Sequence, residues 1–183
     1  IIGYNRGDDW YPINSKDEIG KQIPSIISKK YTKYNEFAGN TIEELFGDNE
    51  LKGATERMVN TFESIYLENK GKGEFKRHDL PALAQVSKVM VLRTEDVDKD
   101  GHLDVILGGN FNGASMYQAR YDAFFGLILK GNGKGGFKAL IPTDTGFLQE
   151  GDVRDIKTVR TPKGPLYFVT RNSDHLQVFK KLN

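Results

Sequence analysis

The 183 residues carry 26 Lys and Arg against 25 Asp and Glu, a net charge of +1, and contain no cysteine. Scattered basic residues without a stripe or run argue against a nucleic-acid surface, and the missing thiols exclude disulfides, thiolate metal sites and cysteine nucleophiles. No stretch nears the roughly 20 apolar residues of a membrane helix; the densest, Ala123-Phe124-Phe125-Gly126-Leu127-Ile128-Leu129, is far shorter.

The chain opens on Ile1-Ile2-Gly3-Tyr4-Asn5, which reads as mid-strand without a starting Met or signal peptide, and predicts a fragment or a processed product. Arg6-Gly7-Asp8 follows in a polar turn and reads as a chance tripeptide rather than an adhesion site. From about 15 to 60 the texture turns helical. Ser15 and Glu18 form a capping-box pattern, and Ile19, Ile23, Ile26 and Ile27 recur on one face, with Pro24 set to kink or divide the run. A second helix is predicted over 41–46, behind Asn40 as its cap and ending near Gly47. A third is predicted from Glu50 to about Asn60. This insertion reads as a lid on one blade of a β-structure, or as a docking surface.

Strand signals then take over. Tyr66-Leu67-Glu68-Asn69-Lys70-Gly71-Lys72-Gly73-Glu74-Phe75-Lys76 has the pattern of a hairpin, an apolar strand entering a glycine-rich turn and leaving through Phe-Lys. Val89-Met90-Val91-Leu92 and Val105-Ile106-Leu107 predict two short strands rich in β-branched residues, joined by an acidic loop. The hairpin pattern returns at Ile128-Leu129-Lys130-Gly131-Asn132-Gly133-Lys134-Gly135-Gly136-Phe137-Lys138, a spacing of 62 from the first. The Gly-rich 131–136 stretch lacks Walker spacing, and no helix follows it, so it predicts a hairpin turn and not a phosphate loop.

The acidic loop, residues 96–104, reads Asp96-Val97-Asp98-Lys99-Asp100-Gly101-His102-Leu103-Asp104. Carboxylates at positions 1, 3, 5 and 9 with glycine at 6 can wrap oxygen ligands around a hard cation that takes six to eight of them. Ca2+ is the expected structural ion, held by Asp96, Asp98, Asp100, Asp104 and the main-chain carbonyl of His102. An EF-hand is excluded because loop position 12 is Leu107 and no helices flank the loop. Four spaced carboxylates without a cation repel one another, which disfavours a merely solvated turn.

The spacing of 62 also lays Leu107-Gly108-Gly109-Asn110 on Val169-Thr170-Arg171-Asn172, and Ile2-Gly3-Tyr4-Asn5 resembles the same stretch at a spacing of 105, the excess being about the length of the helical insertion. Periods of this length with antiparallel strands are the signature of propeller blades. The fold class expected is mainly β, a partial β-propeller of about three blade equivalents of antiparallel sheet with a helical insertion. Residues 1–183 would form one partial propeller domain, with the calcium-loop repeat at about 82–146 and a degenerate last repeat at about 147–183. In that last repeat Thr161-Pro162-Lys163-Gly164-Pro165 stands as a plain turn where the acidic loop would be. About three blades cannot close a ring that takes four to eight, so closure calls for further blades or another chain.

With these features the chain resembles the FG-GAP and VCBS repeat family, calcium-binding propellers typified by the N-terminal domain of integrin α chains. It is similar to the C-terminal part of the large surface-exported bacterial members, many of which carry a fused ASPIC/UnbV module. The stretches that carry the likeness are Asp96 to Asn110, Thr61-Phe62-Glu63-Ser64-Ile65-Tyr66-Leu67-Glu68-Asn69, Arg120-Tyr121-Asp122, Gly151-Asp152-Val153-Arg154-Asp155, Arg171-Asn172 through Gln177-Val178-Phe179, and the helical Thr41-Ile42-Glu43-Glu44-Leu45-Phe46-Gly47. The resemblance implies calcium at blade turns and a role in binding or scaffolding, with no catalytic residues to carry over.

Other side chains carry weaker expectations. His78, His102 and His175 stand in separate repeats without metal-ligand spacing, which disfavours zinc. Asp122, Asp152 and Asp155 can in principle serve as paired carboxylates for glycoside hydrolysis, but hydrogen bonding to turn amides is the favoured reading. Trp10, Tyr11, Tyr117, Tyr121 and Phe147 are either a sugar or peptide platform or packing between blades. The expectation is a non-enzymatic calcium-binding propeller segment of an exported, extracellular or cell-surface protein, acting in binding or assembly with a protein or glycan ligand, or with other blades. Its rivals are a polysaccharide-active enzyme and an accessory subunit of an outer-membrane nutrient-uptake complex. An exported location follows from the millimolar calcium that extracellular modules of this kind require.

Overall fold

A computed structural model describes residues 1–114 and 119–181. The chain divides into two compact units, Ile1–Val59 and Asn60–Asn183. Tyr117 lies outside the described residues.

In the first unit, strands β1 (Gly3–Arg6) and β2 (Asp9–Pro12) form an antiparallel hairpin in which Arg6 faces Asp9. Gly7 and Asp8 therefore make the turn, with Gly7 at φ 71°, the left-handed region that two-residue hairpin turns need. The Arg6-Gly7-Asp8 tripeptide is the exposed tip of this hairpin. Helix α1 (Lys16–Gln22) starts with the expected capping box: the Ser15 hydroxyl accepts from the Glu18 amide, and the Glu18 carboxylate accepts the Ser15 amide at 2.9 Å. Pro24 divides the isoleucine run by opening a separate π-helical turn, Pro24–Ser28. Ile19 and Ile27 are fully buried, Ile23 and Ile26 partly, in one core with Tyr31, Phe37, Leu45 and Phe46.

Two helical expectations are corrected here. Helix α2 (Tyr34–Phe37) precedes helix α3 (Ile42–Leu51), and the cap of α3 is Thr41 rather than Asn40. The Thr41 hydroxyl accepts the Glu44 amide while the Glu44 carboxylate accepts the Thr41 amide at 2.8 Å, a reciprocal pair that Asn40 is out of register to make. Asn40 instead donates to the carbonyls of Glu36 and Phe37 at the end of α2. The break expected at Gly47 is present, at φ 73° and ψ 169° inside α3. It removes the helical partners of the preceding carbonyls, and Lys30 and Tyr31 supply replacements: the Lys30 ammonium donates to the carbonyls of Glu44 and Leu45, and the Tyr31 hydroxyl to that of Glu44. No helix spans Glu50 to Asn60. α3 stops at Leu51, Gly53 turns left-handed at φ 81°, and residues 54–60 have no regular structure. Met58 and Val59 are both exposed, so this stretch offers no buried face to hold a helix in place.

The second unit is antiparallel β. β3 (Ile65–Gly71) and β4 (Glu74–Asp79) form a hairpin, followed by a short 3-10 turn at Ala82–Ala84. β5 (Val89–Glu95), β6 (Asp104–Gly109), β7 (Leu127–Gly131) and β8 (Phe137–Leu140) form a four-stranded meander in chain order. A short helix α4 (Pro142–Thr145) leads to β9 (Val153–Thr161), β10 (Gly164–Arg171) and β11 (Gln177–Lys180), a three-stranded sheet. The chain is thus mainly β, in several small antiparallel sheets, none of which closes on itself. The two sequence-matched hairpins are β3–β4 and β7–β8, and their opening residues, Ile65 and Leu127, stand at the spacing of 62.

Strand alternation gives the four-stranded sheet two buried faces. Ile106 and Ile128 point to a core shared with Val153, Ile156, Tyr167 and Val169 of β9 and β10, together with Phe147. Their neighbours Leu107, Leu127 and Leu129 point the other way, into a core with Ala84, Phe124 and the partly buried Leu80 and Phe137. Tyr66 of β3 meets Phe137 edge to face at 5.8 Å, which brings the β3–β4 hairpin onto that second face. Gly108 sits where an added Cβ would lie 2.7 Å from Val153, so the first face has no room for a side chain there.

Leu129 is wholly inaccessible to solvent, and Leu129→Ala is expected to destabilise the second unit by about 2–5 kcal/mol through lost burial and a residual cavity. Denaturant unfolding followed by circular dichroism checks this, and a loss below about 1 kcal/mol contradicts the packing described.

Candidate metal centre

The acidic loop joins β5 to β6, as expected, and Glu95 pairs with Asp104 at its base. Inside the loop, carboxylates substitute for missing strand partners. Asp96 accepts the amides of Asp100 (3.1 Å) and Gly101 (3.0 Å), Asp98 accepts the Asp100 amide at 3.2 Å, and Asp100 accepts that of His102 at 2.9 Å. These short-range bonds are the Asx-turn habit of aspartate. They require two left-handed residues, Gly101 at φ 88° and Lys99 at φ 64°.

Asp104 is bound differently. It is only 2% exposed, and its two oxygens accept the amides of Val97 and Gly131, each at 2.9 Å. Asp104 therefore ties the start of the loop to β7. That reach depends on Gly131, where an added Cβ would stand 2.1 Å from the Leu103 carbonyl oxygen.

One carboxylate oxygen from each of Asp96, Asp98 and Asp104 lies within 4.8 Å of the others. Two ligands on one calcium ion at 2.3–2.6 Å each can be at most about 5 Å apart, so these three oxygens fit a single cation. The donor set is all hard oxygen, which suits calcium or magnesium rather than a softer transition metal. Asp98 is the open side of the group, its side chain 41% exposed.

Asp100 does not join that trio. Its carboxylate meets the Lys130 ammonium at 3.0 Å, and Lys130 also pairs with Asp98. The Lys130 ammonium, and after it the His102 amide, hold the Asp100 carboxyl below its ordinary range, while Asp98 and Asp100 together raise the pKa of Lys130. His102, expected to offer its carbonyl, lays its ring against Gly133 of the β7–β8 turn. Lys181 donates to the Val97 carbonyl on the same loop. Residues Gly101, His102 and Leu103 also wall a cleft of about 720 Å³ lined by Tyr66, Leu92, Val105 and Leu129. Lys130, Gly131 and Lys181 escaped the sequence reading. Only the glycine at the end of the apolar strand, position 131, gave a hint, since a glycine in a strand often marks close backbone approach.

His78 pairs with Glu68 at 3.1 Å and lies against Tyr66, and no histidine belongs to a metal-ligating group among the described residues. Asp152 is buried with Arg154 on one oxygen at 2.7 Å, Asp155 accepts the Ile156 amide, and Asp122 is exposed. Asn132 organises the Gly-rich turn by accepting the amides of Lys134 and Gly136, so this segment is the hairpin turn expected. Phe147 is core, packed on Phe179 at 4.7 Å, whereas Tyr121 bridges to Phe111 beneath the Lys88 ammonium and Tyr11 stacks beside Tyr4. A second polar knot, unforeseen in the sequence, joins Asn110 to the main chain of Phe124 and Gly151 and holds β6 near the start of β9.

No protein-family model, curated protein or solved structure matches this chain.

Gly131→Ala is expected to cost about 1–3 kcal/mol by forcing β7 away from Leu103 and to weaken any metal binding by loosening Asp104. A substitution that leaves both the melting temperature and the titration unchanged contradicts the role given to the Gly131 amide.

Proposed function

We propose that the chain is a calcium-binding, non-enzymatic propeller segment of an exported or cell-surface protein, acting in ligand binding or assembly. The observation that carries the reading is the convergence of Asp96, Asp98 and Asp104 at a turn between two sheet strands. A metal there closes a loop whose carboxylates otherwise repel. Calcium's role is structural: its ligands tie the β5–β6 turn to the strand β7 that carries Gly131. The four-stranded meander, covered by a hairpin on one face and a three-stranded sheet on the other, supports the blade reading, since propeller blades are four-stranded antiparallel sheets. A set of three carboxylates at a turn, with Asp98 on its open side, suits the millimolar calcium found outside the cytoplasm, which supports an exported location.

With free calcium at about ten times its dissociation constant, one such site adds roughly 1.4 kcal/mol to stability. Asp98→Ala should therefore lower the melting temperature more in calcium than in chelator, where a partly exposed ion pair to Lys130 and the hydrogen bond from the Asp100 amide are lost. Equal losses in the two media would count against metal binding.

A further inference from the structure

We infer that Lys130 is a tethered cation that occupies the acidic loop in the absence of metal and is exchanged for the incoming ion. This rests on the reading of residues 96–104 as a metal loop and adds a control element to it.

Lys130 is the last-but-one residue of β7, and the next residue, Gly131, gives its amide to Asp104. One strand thus delivers both a main-chain donor and an ammonium group to the same loop. The ammonium bridges two carboxylates, Asp98 and Asp100. Asp98 is shared: it belongs to the converging trio and also to the pair with Lys130. The shared carboxylate is the reason for an exchange. A divalent ion drawn to Asp96, Asp98 and Asp104 approaches an ammonium already seated against Asp98, and like charges at such separations repel. Lys130 must swing outward for the ion to gain the full attraction of Asp98, and Asp100 is released in the same step to serve as a further ligand. The Lys130 side chain is 38% exposed, so it has open solvent to move into.

Two consequences follow. The ammonium keeps the loop neutralised and folded without metal, and it weakens metal binding, moving the site toward the millimolar range where it responds to the surrounding calcium level rather than staying saturated.

The test is calorimetric titration of chelator-stripped full chain with calcium chloride, using wild type, Lys130→Met and Lys130→Arg. Lys130→Gln serves as a second neutral variant should the methionine protein fold poorly, with circular dichroism as the check on folding. The expected result is a dissociation constant about tenfold lower in the neutral variants, the repulsion of one ammonium having been removed, together with a lower melting temperature in chelator. Lys130→Arg should keep wild-type affinity. Calcium binding by the neutral variants alone overturns the exchange, since the ammonium then blocks the wild-type site instead of leaving it. Wild-type binding with unchanged or weakened affinity in the neutral variants overturns the exchange while leaving the metal loop in place. Absence of binding in every variant overturns both.

Discussion

Asp104 is a carboxylate taken almost wholly out of water, and a buried charge is costly unless its oxygens are satisfied. Here the two oxygens accept main-chain amides from different places, Val97 in the loop and Gly131 at the end of β7. That pair of hydrogen bonds fixes where the loop sits on the sheet. It also sets the direction of β6, whose next residues, Val105, Ile106 and Leu107, alternate into the two cores of the second unit. The acidic loop and the hydrophobic cores are thus joined at one residue, and position 131 is a glycine because the loop backbone comes too close for a side chain.

Electrostatics divide the loop into an inner and an outer half. Asp96 and Asp104 are engaged with backbone amides alone, whereas Asp98 and Asp100 each accept one amide and also face the Lys130 ammonium. Amide hydrogen bonds leave lone pairs on a carboxylate for a cation. The inner half therefore holds its carboxylates in fixed positions, and the outer half is neutralised by the Lys130 ammonium. Carboxylates fixed in this way lower the ordering cost that a bound cation would otherwise impose on the whole loop.

Much of this was legible in the chain. The acidic loop between strands, the hairpins opening at Ile65 and Leu127, the Ser15 box and the break at Gly47 all follow from local rules about turns, caps and alternation. The misses share a physical cause. Asn40 and Thr41 are both good caps, and only the return bond from Glu44 decides between them. The stretch after Gly53 has helix-forming residues, but it buries no face, and propensity alone does not hold a short helix. Lys130 reaches its partners from a separate strand, 32 residues from Asp98 along the chain, and contacts of that kind leave no local pattern. The same is true of the buried Asn110, whose partners Phe124 and Gly151 come from two other segments.

Isothermal titration of chelator-stripped protein with calcium, with magnesium as the control, asks whether residues 96–104 hold a metal ion. The expected result is one calcium ion per chain binding near or below the millimolar range, with magnesium weaker because it demands a tighter octahedron and gives up its water reluctantly. Failure to bind calcium at several millimolar would leave a set of antiparallel sheets whose acidic turn is neutralised by lysine alone.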